Sequence, residues 1–238
     1  MNILAIDTST SLASIAIAVD EQIAAEALVN TNRTLSGRLM PEIERLLTTV
    51  GLKIADIDLF ASSIGPGSFT GVRGGVATMQ GLALAVGKPC AGFSSLTMLS
   101  MNFSLSTILI CPMLDARKSE VYAALYDCSS PLPSPRINDC VLPPNALLDQ
   151  IAVLTGQPVI FVGDGAVRYH DLIAEQFGDQ AIFAPFPLHT PHAANGILLA
   201  IDACKRGEML EPSQLLPVYL RASDAELMKI KANRSLLS

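Results

Sequence analysis

The chain has 238 residues, half of them hydrophobic, 16% charged and 5% aromatic, with no tryptophan; this describes a chain with a substantial core and excludes a disordered one, and the length admits one large domain or two small ones. Sixteen Lys and Arg against 22 Asp and Glu leave a formal charge of −6, which repels phosphate backbones and weighs against autonomous nucleic-acid binding. The 5 cysteines are odd in number and form no CxxC pair, so a reduced, cytosolic protein with buried thiols is expected rather than a disulfide scaffold or a zinc site.

The opening MNILAIDTSTS has no basic leader and meets Asp7 after a few apolar residues, so it reads as a first strand and not as a secretory signal. Apolar, β-rich runs at 2–7, 12–19 and 23–29 follow one another across short turns and predict a three-strand meander. From Thr34 to Val50 the residues Leu35, Leu39, Ile43, Leu46, Leu47 and Val50 recur at helical spacing, with Arg38, Glu42 and Arg45 on other faces. Pro41 either starts or bends this helix.

An apolar strand over 58–64 leads into the turn GPGSFTG at 65–71 and a helix to about Val86. The turn is not a nucleotide phosphate loop, because Val72-Arg73 stands where Lys-Ser/Thr is needed, and its GxGxxxG spacing is not a dinucleotide fingerprint. Ser68 or Thr70 can cap the helix, and Phe69, Val72, Val76, Met79, Ala83 and Val86 repeat at three and four. Gly71, Gly75, Ala77, Gly81 and Ala85 are small residues that let another backbone approach. Two readings stand for this helix: internal packing, or a face that meets a partner. The uncharged stretch over 89–114 contains Pro89, Asn102, Pro112 and several Ser/Thr, which fits strand, helix and strand in a folded domain better than a membrane span.

An internal match organises the rest. The segment ILAIDTSTSLASIAIA, from Ile3, has an ungapped counterpart in CPMLDARKSEVYAALY at 111–126: an apolar strand ends in Asp7 or Asp115, a polar turn follows, and a second apolar strand returns. After a Pro/Ser break at 129–135 come a helix LLDQIAVL, a strand VIFVGDG, a helix VRYHDLIAEQF, a strand AIFAPF and a helix over 192–206. The chain therefore reads as two α/β halves of order βββαβα, 1–103 and 104–238 with its tail, as in the actin-like/sugar-kinase (ASKHA) architecture where a nucleotide lies between the halves. Phosphate binding there needs small residues in the turns. The first turn, Asp7-Thr8-Ser9-Thr10, has no glycine, and the second is crowded by Arg117 and Lys118.

Other groupings favour structure over chemistry. Asp115, Arg117 and Glu120 read as a turn held by hydrogen bonds and ion pairs. Gly163-Asp164-Gly165 serves a bend. His189 and His192 have Pro191 between them and no Cys or carboxylate beside them, so they belong to a loop or helix start. Ser68 and Thr70 have no nearby histidine and lie in no GxSxG, so no peptidase set is visible.

GPGSFTGVRGG after an apolar strand, with MNILAIDTSTS, DARKSEVY at 115–122 and PVYLRAS at 217–223, resembles the bacterial TsaB family, formerly YeaZ, over nearly the whole chain. The resemblance implies a cytoplasmic, non-catalytic subunit that scaffolds or activates a TsaD-like catalytic paralogue with a TsaE-like ATPase. That complex transfers a threonylcarbamoyl group from its adenylate to N6 of adenosine 37 in tRNAs reading ANN codons. It implies a homodimer when alone, tRNA contact only through the complex, and no membrane association. ATP and metal belong to the partner subunits; this chain carries no catalytic, cofactor or metal residue. The catalytic relative holds its metal with HxxxH, whereas the comparable stretch at 92–99 has Ser95 and Leu99 at that spacing. The partner face implied is the pair of helices at about 34–50 and 68–87, with Leu35, Arg38, Leu39, Glu42, Val72, Gly75, Val76 and Met79. Many relatives carry His where this chain has Thr34-Leu35-Ser36-Gly37-Arg38. Two readings stand for the tail from Arg221, with Lys229, Lys231 and Arg234: a solvated segment, which is favoured, or a contact with tRNA or a partner. The alternative to an accessory subunit is an autonomous ATP-binding kinase or ATPase of the same fold.

Overall fold

The computed structural model describes residues 1–30 and 35–221, the side chains of residues 35 and 36 excepted. The expected helix start at Thr34, the side chain of Leu35 and the C-terminal tail beyond Arg221 lie outside the described residues.

The first half forms β1 (Asn2–Asp7), β2 (Leu12–Val19), β3 (Gln22–Asn30), α1 (Leu35–Thr49), β4 (Leu59–Ser63), α2 (Phe69–Val86) and β5 (Cys90–Phe93). Its sheet has the order β3-β2-β1-β4-β5, antiparallel across the meander and parallel from β1 through β4 to β5. The strands β1 and β2 are almost wholly apolar because both faces are covered. Leu4, Ile6, Ile15, Ile17 and Phe60 meet Leu39, Ile43, Val72, Val76 and Met79 of α1 and α2 on one face. Ile3, Ala5, Ala16 and Ala18, the alternate residues, form the core of the other face. The helix α1 neither starts nor ends at Pro41 but runs through it, a position with no N–H for the carbonyl of Gly37. Ser68 is the N-cap of α2, its hydroxyl accepting from the Gly71 N–H at 3.3 Å, and Gly87 ends that helix in the left-handed region at φ 65.

The second half repeats the plan with β6 (Leu109–Asp115), β7 (Val121–Asp127), β8 (Ser134–Leu142), α4 (Pro144–Leu154), β9 (Val159–Val162), α5 (Asp164–Arg168), α6 (His170–Phe177) and β10 (Ala181–Phe183); α3 (Ser95–Ser100) joins the halves. Its sheet order is β10-β9-β6-β7-β8. With β6 to β10 placed on β1 to β5, the two sheets have the same topology, and Asp7 and Asp115 end equivalent strands. The helix expected as VRYHDLIAEQF is divided at Tyr169 into α5 and α6.

After β10 the chain crosses back. Helix α7 (Ala193–Lys205) packs on β1, β2, β4 and β5, with Ile197, Ala200 and Ile201 in the second core of the first sheet. A Cβ on Gly196 would lie 2.4 Å from the Phe93 ring, so glycine there lets the helix settle on the sheet. Leu210 then bridges to Cys90, and Leu215 is buried in the first core. The two sheets part between β5 and β6, and residues 193–218 return to the first lobe, contrary to the expected second lobe running unbroken from 104.

The uncharged stretch is β5, α3 and β6, and among the described residues no helix is long and apolar enough to cross a membrane. Cys90, Cys111 and Cys128 are buried and free; burial pushes the Cys90 and Cys128 thiols up to about 11, which keeps them protonated and unreactive.

Candidate functional site: the cleft between the lobes

The two Asp-ended strands, β1 and β6, point their C-terminal turns at one cavity of roughly 610 Å³, lined among others by Ser9, Ser68, Thr70, Asp115, Arg117 and Tyr122. This is the position at which doubled α/β folds take ligands, outside the carboxyl ends of the strands.

On the first wall Asp7 is fully buried. Its carboxylate accepts from the Ser9 hydroxyl at 3.1 Å and the Ser9 N–H at 3.3 Å. Burial raises its pKa above the ordinary carboxylate value, with hydrogen bonds offsetting part of the shift. The following turn is covered by α2. The Ser68 N–H donates to Ser9 O at 2.7 Å, and the Thr8 hydroxyl donates to Gly71 O at 2.8 Å. A Cβ would lie 2.5 Å from Ser9 O at Gly67, 2.1 Å from Thr8 O at Gly71 and 2.2 Å from Thr8 Oγ1 at Gly75. The backbone that the small residues admit is therefore the chain's own Thr8-Ser9 turn. Anion binding at such a place uses free N–H groups at a turn and helix start; here the Ser68 and Gly71 N–H groups already donate to Ser9 O and Ser68 Oγ.

On the second wall both oxygens of Asp115 are engaged. One oxygen accepts from the Arg117 N–H at 3.0 Å, the other from Arg168 at 2.8 Å, and the Asp115 N–H donates to Asp164 at 3.0 Å. Glu120 accepts from Arg221 at 2.7 Å. The turn is held by ion pairs, two of which reach far in sequence. Gly163 and Gly165 do more than bend the chain, since a Cβ would come within 2.2 Å and 2.9 Å of Met113 O. A carboxylate with both oxygens engaged is a poor general base, and the Ser68 hydroxyl is engaged as a helix cap.

The remaining candidates are dispersed. His189 Nδ1 accepts from the Gly163 N–H at 3.0 Å, and His192 Nδ1 lies 3.2 Å from Glu26 at the start of α7. Ser95 and Leu99, at the HxxxH spacing, are both buried, with the Ser95 hydroxyl donating to Pro66 O. Among the described residues no group of three His, Cys, Asp or Glu side chains is placed to hold a metal ion.

The residues expected at the partner face divide. Leu39, Val72, Gly75, Val76 and Met79 are buried, facing their own sheet, because the apolar stripes of α1 and α2 cover β1, β2 and β4. Their side chains are core residues, which corrects their assignment to a partner surface. Arg38 is exposed and Glu42 partly so, the latter paired with Arg45. Beyond its first two residues, the outward residues of α2 are Arg73, Ala77, Gly81, Leu84 and Ala85, with Leu84 74% exposed. Three of the five small residues, Ala77, Gly81 and Ala85, thus face outward, and Gly71 and Gly75 face inward; sequence spacing alone does not say which of the two sets lies inside.

Residues 27–229 match the family described as TsaD, tRNA N6-adenosine threonylcarbamoyltransferase. The chain is 30% identical to the tRNA threonylcarbamoyladenosine biosynthesis protein TsaB of Bacillus subtilis, over 98% of this chain and 100% of that one. It is 31% identical to the protein of the same name from Escherichia coli, over 93% and 95%. Among solved structures it is similar to YeaZ from Pseudomonas aeruginosa, with 30% identity, a TM-score of 0.79 and coverage of 92% and 99%. A ROK hexokinase from Thermus thermophilus, at 11% identity, TM-score 0.51 and coverage of 87% and 100%, shares the fold alone; the two lobes have the actin-like/sugar-kinase architecture.

Proposed function

We infer a non-catalytic role from one premise: the chain belongs to the TsaB family of tRNA threonylcarbamoyladenosine biosynthesis proteins, within the family matched as TsaD. In that biosynthesis it acts as the subunit that scaffolds or activates a TsaD-like catalytic paralogue together with a TsaE-like ATPase. ATP and metal are bound by those partners, tRNA is met only inside the complex, and the compartment is the cytoplasm. The observation that carries this reading is the filled first turn. Gly67, Gly71 and Gly75 bring α2 against Thr8 and Ser9, where a nucleotide-using relative needs room and free N–H groups for phosphate. The buried Ser95 and Leu99 in place of a histidine pair support the same reading.

The partner face in this proposal lies on the outward sides of α1 and α2, around Arg38, Glu42, Arg73, Ala77, Gly81 and Leu84, and serves a second copy of the chain when the paralogue is absent. Small exposed residues four apart allow a helix to approach closely, and Leu84 supplies apolar area. A second reading, an autonomous ATP-binding kinase or ATPase, has the inter-lobe cavity in its favour. Calorimetry of the purified chain with ATP and Mg²⁺ separates the two. The accessory reading requires no saturable binding, and saturable binding with turnover in the absence of other subunits would establish the second.

A further inference from the structure

The segment from Pro212 to Arg221 ties the lobes together. On the first lobe, Gln80 donates to Pro212 O at 3.0 Å and Leu215 O at 2.9 Å, and the Val218 N–H donates to Ile64 O at 2.8 Å. The Tyr219 ring lies 5.3 Å from that of Phe69, and its hydroxyl accepts from Arg73 Nε at 2.5 Å. The Arg73 guanidinium in turn lies 3.8 Å above the Phe69 ring. Two residues further on, Arg221 reaches the other lobe, donating from Nη1 to Glu120 at 2.7 Å and from Nη2 to Ala116 O at 3.1 Å. The two acceptors stand at the ends of the β6–β7 turn, of which Ala116 and Arg117 line the cavity together with Arg221. Within that turn Arg117, Lys118 and Ser119 have φ of 62, 52 and 61, three consecutive non-glycine residues in the left-handed region. Such a run opposes the steric preference of L-residues and persists only where the surroundings over-determine it.

We propose that Arg221 is the latch of an inter-lobe clasp that holds the 116–120 turn in its left-handed form against the cavity between the lobes. The geometry suits a latch: a planar guanidinium takes a carboxylate and a carbonyl at once, and a short segment fixed to the first lobe carries it. The partly buried pair, with side chains 24% and 31% exposed, is less screened than a surface ion pair. Once Arg221 lets go, the turn relaxes toward ordinary backbone. The inference does not depend on the proposed function and concerns the conformation of the chain by itself.

The test uses the full chain and two single variants that break the latch from opposite sides, Arg221→Ala and Glu120→Gln, with the double variant. Trypsin cleavage after Arg117 or Lys118, followed by fragment mass, and hydrogen exchange over 115–122 report the turn. Loss of a charge-assisted hydrogen bond should speed both by about tenfold or more in either single variant. Exchange in α7 should stay at the wild-type rate, and the double variant should be no faster than the faster single one. Wild-type rates at the turn in the folded single variants would overturn the latch, as would acceleration spread evenly over the whole molecule or rates that multiply in the double variant. If Arg221→Ala fails to fold, Glu120→Gln alone decides by the same readings.

Discussion

Thr8 and Gly71 lie against each other: the Thr8 hydroxyl donates to Gly71 O at 2.8 Å, and a Cβ on Gly71 would come within 2.1 Å of Thr8 O. The first turn of the sheet and the start of α2 are therefore one unit, and the glycines are needed because backbone meets backbone there.

Gly71→Ala should then destabilise the chain by about 2–3 kcal/mol, since the atom it would strike is a backbone carbonyl that cannot turn away. Gly81, also inside α2, has open space where a Cβ would stand, with nothing within 4 Å, so Gly81→Ala should stabilise by roughly 0.5–1 kcal/mol through helix propensity. Urea unfolding of both variants checks the pair. Equal effects of the two would show that α2 does not lie on the turn as described.

Asp7 gives a pH dependence with a definite sign. Burial raises its folded pKa above the unfolded value near 3.8, so the folded state binds the proton more tightly. Stability from this group is intact below the unfolded pKa and falls as pH climbs through the folded one. Asp7→Asn removes the charge and keeps an oxygen for the Ser9 N–H. Its melting temperature should exceed that of the wild type at pH 7, and the gap should close toward about pH 4. A variant less stable at pH 7 than at pH 4, relative to wild type, would contradict the buried-carboxyl account.

Much of this was legible in the sequence. The match between the Asp7 and Asp115 segments exposed the doubled topology, because strand, Asp and returning strand repeat without a gap. Local chemistry offered Ser68 or Thr70 as the cap of α2, and Ser68 is the one that caps it. The sequence placed a helix over 192–206 but named no sheet for it, so the return of α7 to the first lobe was not legible. The apolar stripe of α2 looked available to a partner because sequence shows a face without showing what covers it. Ion pairs such as Arg168 with Asp115 and Arg221 with Glu120 have no sequence signature at all, since their separations are set by the fold.

The partner proposal is checked with residues that folding does not need. Leu84→Glu and Arg38→Glu place a charge on the outward faces of α2 and α1, and each should leave the stability within about 1 kcal/mol of wild type. Each should weaken association with the catalytic paralogue, and self-association, by tenfold or more, about 1.4 kcal/mol. Leu39→Glu, by contrast, should unfold the chain, because that side chain is only 4% exposed in the core. Wild-type affinity in both folded variants, measured by sedimentation, would move the partner face elsewhere.

Threonylcarbamoyl transfer to tRNA, measured with each component omitted in turn from purified subunits, tests the central claim most directly. An accessory subunit predicts no transfer by this chain alone and transfer by the complete mixture. It also predicts that leaving this chain out removes most of that activity, as would supplying Leu84→Glu in its place. Transfer by the chain alone, or full transfer in its absence, would contradict the account.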